Sequence, residues 1–67
     1  MRVLIVEDDM EIQQLVSYFF KKENYEVQTA GDGLEGLKAV KSFKPDLIVL
    51  DIMLPSLDGK YSKGYVF

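Results

Sequence analysis

Two uninterrupted apolar runs, Val3-Leu4-Ile5-Val6 and Leu47-Ile48-Val49-Leu50, stand out from a chain in which polar and apolar residues otherwise mix. Neither run alternates, and each stops on acid: Glu7-Asp8-Asp9 follows the first and Asp51 the second. Short apolar runs without alternation fit strands covered on both faces, as in a parallel sheet. The pattern predicts strands over residues 2–6 and 47–50. Between them, Ile12, Leu15, Val16, Phe19 and Phe20 recur at the spacing of one helical face. Gln13, Gln14, Ser17, Lys21 and Lys22 fall elsewhere on the wheel, and the two lysines suit a helix carboxyl end. This predicts a helix over about residues 9–22, capped by Asp8 or Asp9, with Asp8 and Glu11 spaced as in a capping box.

After a turn at Glu23-Asn24, Tyr25-Glu26-Val27-Gln28-Thr29 alternates and is rich in strand formers, so it predicts a half-exposed edge strand. Ala30-Gly31-Asp32-Gly33 reads as a loop. Leu34, Leu37 and Val40 mark a short helix over about residues 33–42, although Gly36 inside it costs about 1 kcal/mol relative to Ala. Ser42 to Asp46 is a connection in which Pro45 blocks further helix. The order is β-α-β-α-β, an α/β pattern. Short right-handed crossovers make the strands parallel neighbours, and the first strand falls in the middle, giving the order 2-1-3. The last eight residues, 60–67, lack helical periodicity. Tyr65-Val66-Phe67 is either a short strand or a frayed end.

Composition narrows the class. The chain has 67 residues, nearly half of them apolar, which allows one small domain and argues against disorder. The net charge of −3 divides unevenly. Residues 1–59 carry six basic and eleven acidic side chains, whereas residues 60–67 add Lys60 and Lys63 and no acid. No basic stripe points to nucleic acid, and no apolar run approaches the ~20 residues of a membrane span. The amino terminus lacks the pattern of a secretory signal. There is no cysteine and no histidine, which excludes disulfides, thiolate metal sites and the usual general base. A metal here is expected to be hard and oxygen-liganded. The expected location is the cytoplasm.

The candidate chemistry lies at the ends of the two apolar runs. In open α/β sheets, ligands bind at the carboxyl ends of the strands. Parallel neighbours lie roughly 4.8 Å apart, so Glu7, Asp8 and Asp51 are expected to converge. Three carboxylates in one crevice favour a divalent cation, and Mg²⁺ commonly takes one or two carboxylates, waters and a phosphate oxygen. Asp51 could then attack a phosphoryl group as a nucleophile. The plainer alternative is that Glu7 to Asp9 only favour a helix amino terminus. Phe19, Phe20 and Phe43 read as core, Asp32 as a turn residue and Asp46 as a surface acid. A covalent phosphatase motif would need a second Asp where Met53 stands.

Taken together, Val3 to Asp9, Ala30-Gly31-Asp32-Gly33, and Pro45 to Pro55 with Asp58-Gly59 resemble the receiver domain of two-component response regulators. The likeness runs in order over residues 1–59, and three motifs at family spacing make it specific. The resemblance implies a flavodoxin-like receiver fold. It implies that Asp51 accepts a phosphoryl group from a sensor histidine kinase or phosphotransfer protein, in a transfer that receiver domains catalyse on themselves. It further implies that Asp8, Asp51 and the main-chain carbonyl of Met53 ligate Mg²⁺, with Glu7 supporting the metal through water. The Leu54-Pro55 form is common among regulators with a DNA-binding output domain, which is not visible in these residues.

The resemblance also sets an expectation about extent. A receiver has five strands and five helices, and here the likeness stops where the third helix should begin, so the fold is expected to be truncated after the third strand. The family's hydroxyl residue and its Lys find no counterpart, and Lys60, Ser62 and Lys63 do not occupy those roles. Phosphorylation and switching are therefore expected to be impaired. The exposed edge of the third strand is expected to be completed by the tail or by self-association, as a homodimer or a domain-swapped oligomer. A non-switching assembly module is the alternative function.

Overall fold

The computed structural model describes residues 1–55 and 61–66, with side-chain surroundings given through Leu50. Its elements are β1 (Arg2–Val6), α1 (Met10–Lys22), β2 (Glu26–Ala30), α2 (Gly33–Phe43), β3 (Leu47–Pro55) and β4 (Tyr61–Val66). Three parallel strands lie in the order β2-β1-β3, and β4 adds to β3 on the outer side. This is the expected incomplete flavodoxin-like arrangement, with β1 in the middle because it is apolar on both faces. The β1–β3 ladder pairs Val3 with Leu47 and Val6 with Leu50. The β1–β2 ladder pairs Arg2 with Glu26 and Val6 with Ala30.

Successive strand residues point to opposite faces, and each face carries one helix. Val3, Ile5 and Val49 are buried on the α1 side with Val16 and Phe20 packed against them. Leu4, Val6, Ala30 and Ala39 are buried on the α2 side with Val40 and Ile48. At the amino ends of β1 and β3, Arg2 and Asp46 bracket each other. The Arg2 amide donates to Asp46 Oδ2 at 2.9 Å, and the Asp46 amide donates to the Arg2 carbonyl at 2.8 Å. Asp46 is exposed, as its place before the strand suggested, and it also aligns the β1–β3 pair.

The structure departs from the sequence pattern in four places. In α1 the inward residues are Gln13 and Ser17, both buried, flanked by Ile12, Val16 and Phe20. Leu15 and Phe19, expected on the core face, are 69% and 66% exposed. The helix is rolled toward Gln13, whose side chain bonds to the ends of two strands. The cap of α1 is Asp9, one of the two acids expected there, accepting from the amides of Glu11 and Ile12; the second difference is that the cap does not follow the Asp8–Glu11 spacing. The third difference is in β2, which includes Ala30, buried at 2% exposure rather than looped out.

The fourth difference is in β3. It does not end at Leu50 but runs on to Pro55, because the tail returns as β4 and pairs antiparallel from Leu50–Val66 to Pro55–Tyr61. Asp51 therefore lies within a long strand, although the parallel part of that strand ends just before it. The tail residues expected to be a strand or a frayed end form β4 through Val66, and Phe67 lies outside the described residues, as does the Asp58-Gly59 turn.

Asp32, expected in a turn, caps α2: its Oδ1 accepts from the Glu35 amide at 2.8 Å. Glu35 reaches back to the Gly31 amide at 2.9 Å. The reciprocal pair satisfies amides at a helix start that would otherwise lack acceptors.

Candidate functional site

The carboxyl end of β1 delivers Glu7 and Asp8 into the turn before α1. Glu7 is almost wholly buried at 1% exposure, whereas Asp8 and Asp9 are exposed. A carboxylate buried this deeply needs hydrogen bonds. Glu7 Oε1 accepts from the Asp9 amide at 3.0 Å. The Glu7 backbone is held as well. Its amide donates to the Ala30 carbonyl at 3.0 Å, continuing the β1–β2 ladder one residue past Val6. Its carbonyl accepts from Gln13 Nε2 at 3.1 Å.

Register places the third acid. Val6 and Leu50 are paired across the parallel ladder, so Glu7 and Asp51 each stand one residue beyond that pair. Adjacent parallel strands run about 4.8 Å apart, which sets the backbones of these residues side by side just past the last pair of the β1–β3 ladder. Met53 lies two residues further along β3. The Asp51 carboxylate and the Met53 surroundings fall outside the described side chains. Among the described residues, no three metal-binding side chains gather into a group.

Three strands in the order β2-β1-β3 with acids at the carboxyl edge of the middle one, and α1 and α2 on opposite faces, call for comparison with known families. The family model of the response regulator receiver domain matches residues 3–61. The chain belongs to this family. It is the receiver domain of a two-component response regulator over the matched span.

This receiver is 50% identical over 58 residues to the alkaline phosphatase synthesis transcriptional regulatory protein PhoP of Bacillus subtilis, a match covering 87% of this chain and 24% of that protein. It is 47% identical over 58 residues to the DNA-binding dual master transcriptional regulator RpaA of Synechocystis sp., covering 87% and 24%. It is 36% identical over 58 residues to the DNA-binding response regulator MtrA of Mycobacterium tuberculosis, covering 87% and 25%. The chain thus spans about a quarter of the length of these curated relatives. Among the described residues, no helix of the receiver is long and apolar enough to cross a membrane.

Sequence reasoning missed Gln13. A glutamine inside an amphipathic helix reads as surface, and only the carbonyls it meets in the fold distinguish it. The cap role of Asp32 was more accessible, since Asp32 and Glu35 have the spacing of a capping pair.

Proposed function

We propose that Asp51 is the phosphoacceptor of this receiver and that Glu7, Asp8, Asp51 and the main-chain carbonyl of Met53 form its Mg²⁺ site. The observation that carries the reading is the parallel register: Val6 pairs with Leu50, so the acids that follow them in sequence start from neighbouring backbone positions. The donor set fits the ion, being entirely hard oxygen with no thiolate or imidazole. Asp8 and Asp51 would ligate the ion directly, and Glu7 would support it through water. When bound, Mg²⁺ supplies positive charge against the equatorial oxygens of the transferring group.

The chain's own part is nucleophilic. An Asp51 carboxylate oxygen forms a bond to the phosphorus of a phosphohistidine on a sensor kinase or phosphotransfer protein. The phosphorus–nitrogen bond breaks, and the imidazole nitrogen leaves with the electron pair and takes a proton. No nucleic-acid contact is assigned to residues 1–67, of which 1–59 are read as receiver and 60–67 as tail. The 67-residue polypeptide on its own is expected to label slowly. Lys60 and Lys63 do not serve as the phosphoryl-pairing Lys, and one electrostatic donor of that kind is worth about 10²–10³ in rate.

The experiment is incubation with a small acyl-phosphate donor and Mg²⁺, followed by intact mass. One added phosphoryl group, lost in Asp51→Asn and slower than in a full-length receiver of similar sequence, is expected. Labelling that persists in Asp51→Asn overturns the assignment of the acceptor. Labelling as fast as the full-length receiver overturns the impairment.

A second reading, self-association, is favoured by the exposed apolar side chains. Leu15, Tyr18 and Phe19 on α1 and Leu34 and Leu37 on α2 are all more than half exposed. Leu37 also borders an open apolar hollow of about 210 Å³ with Leu4, Val6, Val40, Ile48 and Leu50. Among the described residues, Leu47 to Val49 have a strand partner on the β1 side only, and an open strand edge is a template for pairing. A homodimer or a domain-swapped oligomer would cover these surfaces.

A further inference from the structure

We infer that Gln13 is a positioning residue for the acidic turn, a strut between α1 and the strand ends that holds Glu7 and Asp8 in place. The inference rests on the Mg²⁺ reading above, which it extends to a residue on a different element. Gln13 is 7% exposed. Its Nε2 donates to the Glu7 carbonyl at 3.1 Å and to the Ala30 carbonyl at 3.3 Å. The Ala30 carbonyl also accepts the Glu7 amide at 3.0 Å. One carboxamide thus joins the first turn of α1 to the ends of β1 and β2, where the parallel ladder stops and the acids begin.

A turn at a strand end leaves the regular ladder behind. Beyond Val6 the Glu7 amide still donates to the Ala30 carbonyl, while the Glu7 carbonyl lies past the last registered pair of the ladder, where a buried carbonyl is stabilised by a donor. Gln13 satisfies the Glu7 carbonyl, which fixes the peptide plane between Glu7 and Asp8. The same turn is closed from within by the Asp9 amide on Glu7 Oε1 and from the helix side by the Asp9 cap. Asp8 leaves this turn from a backbone held at both ends. A metal ligand on a loop keeps its affinity only when its support is rigid, and loss of outer partners commonly lowers affinity 10–100-fold. The roll of α1 that exposes Leu15 and Phe19 accompanies this strut: the helix turns a polar side chain inward toward two main-chain oxygens.

The test replaces Gln13 by methionine in the 67-residue chain, which keeps length and helix preference but removes the donor. Ser17→Ala serves as the control, being buried on the same helix face one turn further along. Two readouts are taken: amide hydrogen exchange at Asp8 and Asp9 without metal, and Mg²⁺ affinity from amide shifts. Gln13→Met is expected to exchange at least tenfold faster at those two amides and to bind Mg²⁺ several-fold more weakly, with helical circular dichroism retained. Ser17→Ala is expected to change neither by more than twofold. Exchange at Asp8 and Asp9 unchanged in Gln13→Met, or raised equally in Ser17→Ala, overturns the strut. A wild-type chain whose shifts ignore Mg²⁺ defeats the metal reading instead, and the exchange result then decides Gln13 alone.

Discussion

Gly36 and Val6 touch so closely that a methyl group cannot be placed between them. A Cβ added to Gly36 would lie 2.9 Å from Val6 Cγ2. Helix α2 therefore rests its backbone on the end of β1, one residue before the acidic turn. The glycine that weakens the helix in isolation allows this approach. Gly36→Ala gains about 1 kcal/mol of helix propensity but overpacks a stiff β-branched neighbour, which costs about 1–3 kcal/mol. A net loss of about 1 kcal/mol is expected in urea unfolding. Val6→Ala in the same chain should relieve the clash, giving a double-mutant coupling of favourable sign. Additive effects would show that α2 does not press on β1 as described.

The caps give a second prediction. Asp32 Oδ1 holds the Glu35 amide and Glu35 holds the Gly31 amide, while Asp9 Oδ1 accepts from Glu11 and Ile12. Asp32→Ala and Asp9→Ala should each lower stability by about 1 kcal/mol, and the Asn variants by much less. Chemical denaturation at fixed salt measures both. An Asp9→Ala chain as stable as wild type would move that acid out of its structural role.

Metal binding is the third. Glu7 is buried and tied into its own turn, and the proposed site has Asp8 and Asp51 approach the ion directly. Mg²⁺ should shift the amides around residues 7–9 and 51–53 with weak affinity. Asp8→Ala should abolish the response, while Glu23→Ala, at an exposed acid beyond the far end of α1, should preserve it. Identical titrations in wild type and Asp8→Ala would sink the site.

Self-association is the fourth. Leu15 and Phe19 lie on one exposed strip of α1, and Leu34 and Leu37 on one of α2. Burying such side chains is worth roughly 25 cal/mol per Å², a strong pull for a small domain. Sedimentation equilibrium over a wide concentration range should show species heavier than the 7.7 kDa chain. Phe19→Lys or Leu37→Lys should shift the distribution toward monomer, and whichever does so locates the interface. A single 7.7 kDa species at every concentration would end the idea.

How far the sequence carried the reading depends on what each signal rests on. The strands Arg2–Val6 and Leu47–Leu50 were legible because unbroken apolar runs have few other homes. The order β2-β1-β3 followed from the two-sided apolar run of the first strand and a helix on each side of it. The inner face of α1 was not legible, since Leu15 and Phe19 have the right period and nothing in the pattern marks Gln13 as the side chain that donates inward to the Glu7 and Ala30 carbonyls. The length of β3 was hidden for a similar reason: residues beyond Asp51 extend because Tyr61–Val66 returns to pair with them. Near the site, the end of β1 before Glu7 and Asp8 could be read from the apolar run, whereas the strand expected to stop at Asp51 runs on to Pro55. The burial of Glu7 and the bonds that close its turn could not be read that way.

Leu50 is where a ladder of long sequence separation and one of short separation meet. On one side of it β3 pairs with β1, which requires the chain to bring together partners such as Arg2 and Asp46, 44 positions apart. On the other side it pairs with β4 across a hairpin, whose ends find each other by a short local search. Long-range pairing is the slow part of assembling such a sheet. The outer half of β3 can therefore form before its inner half has found β1. The backbone of Asp51 lies just beyond this seam, so its alignment with Glu7 depends on the longest closure of the chain.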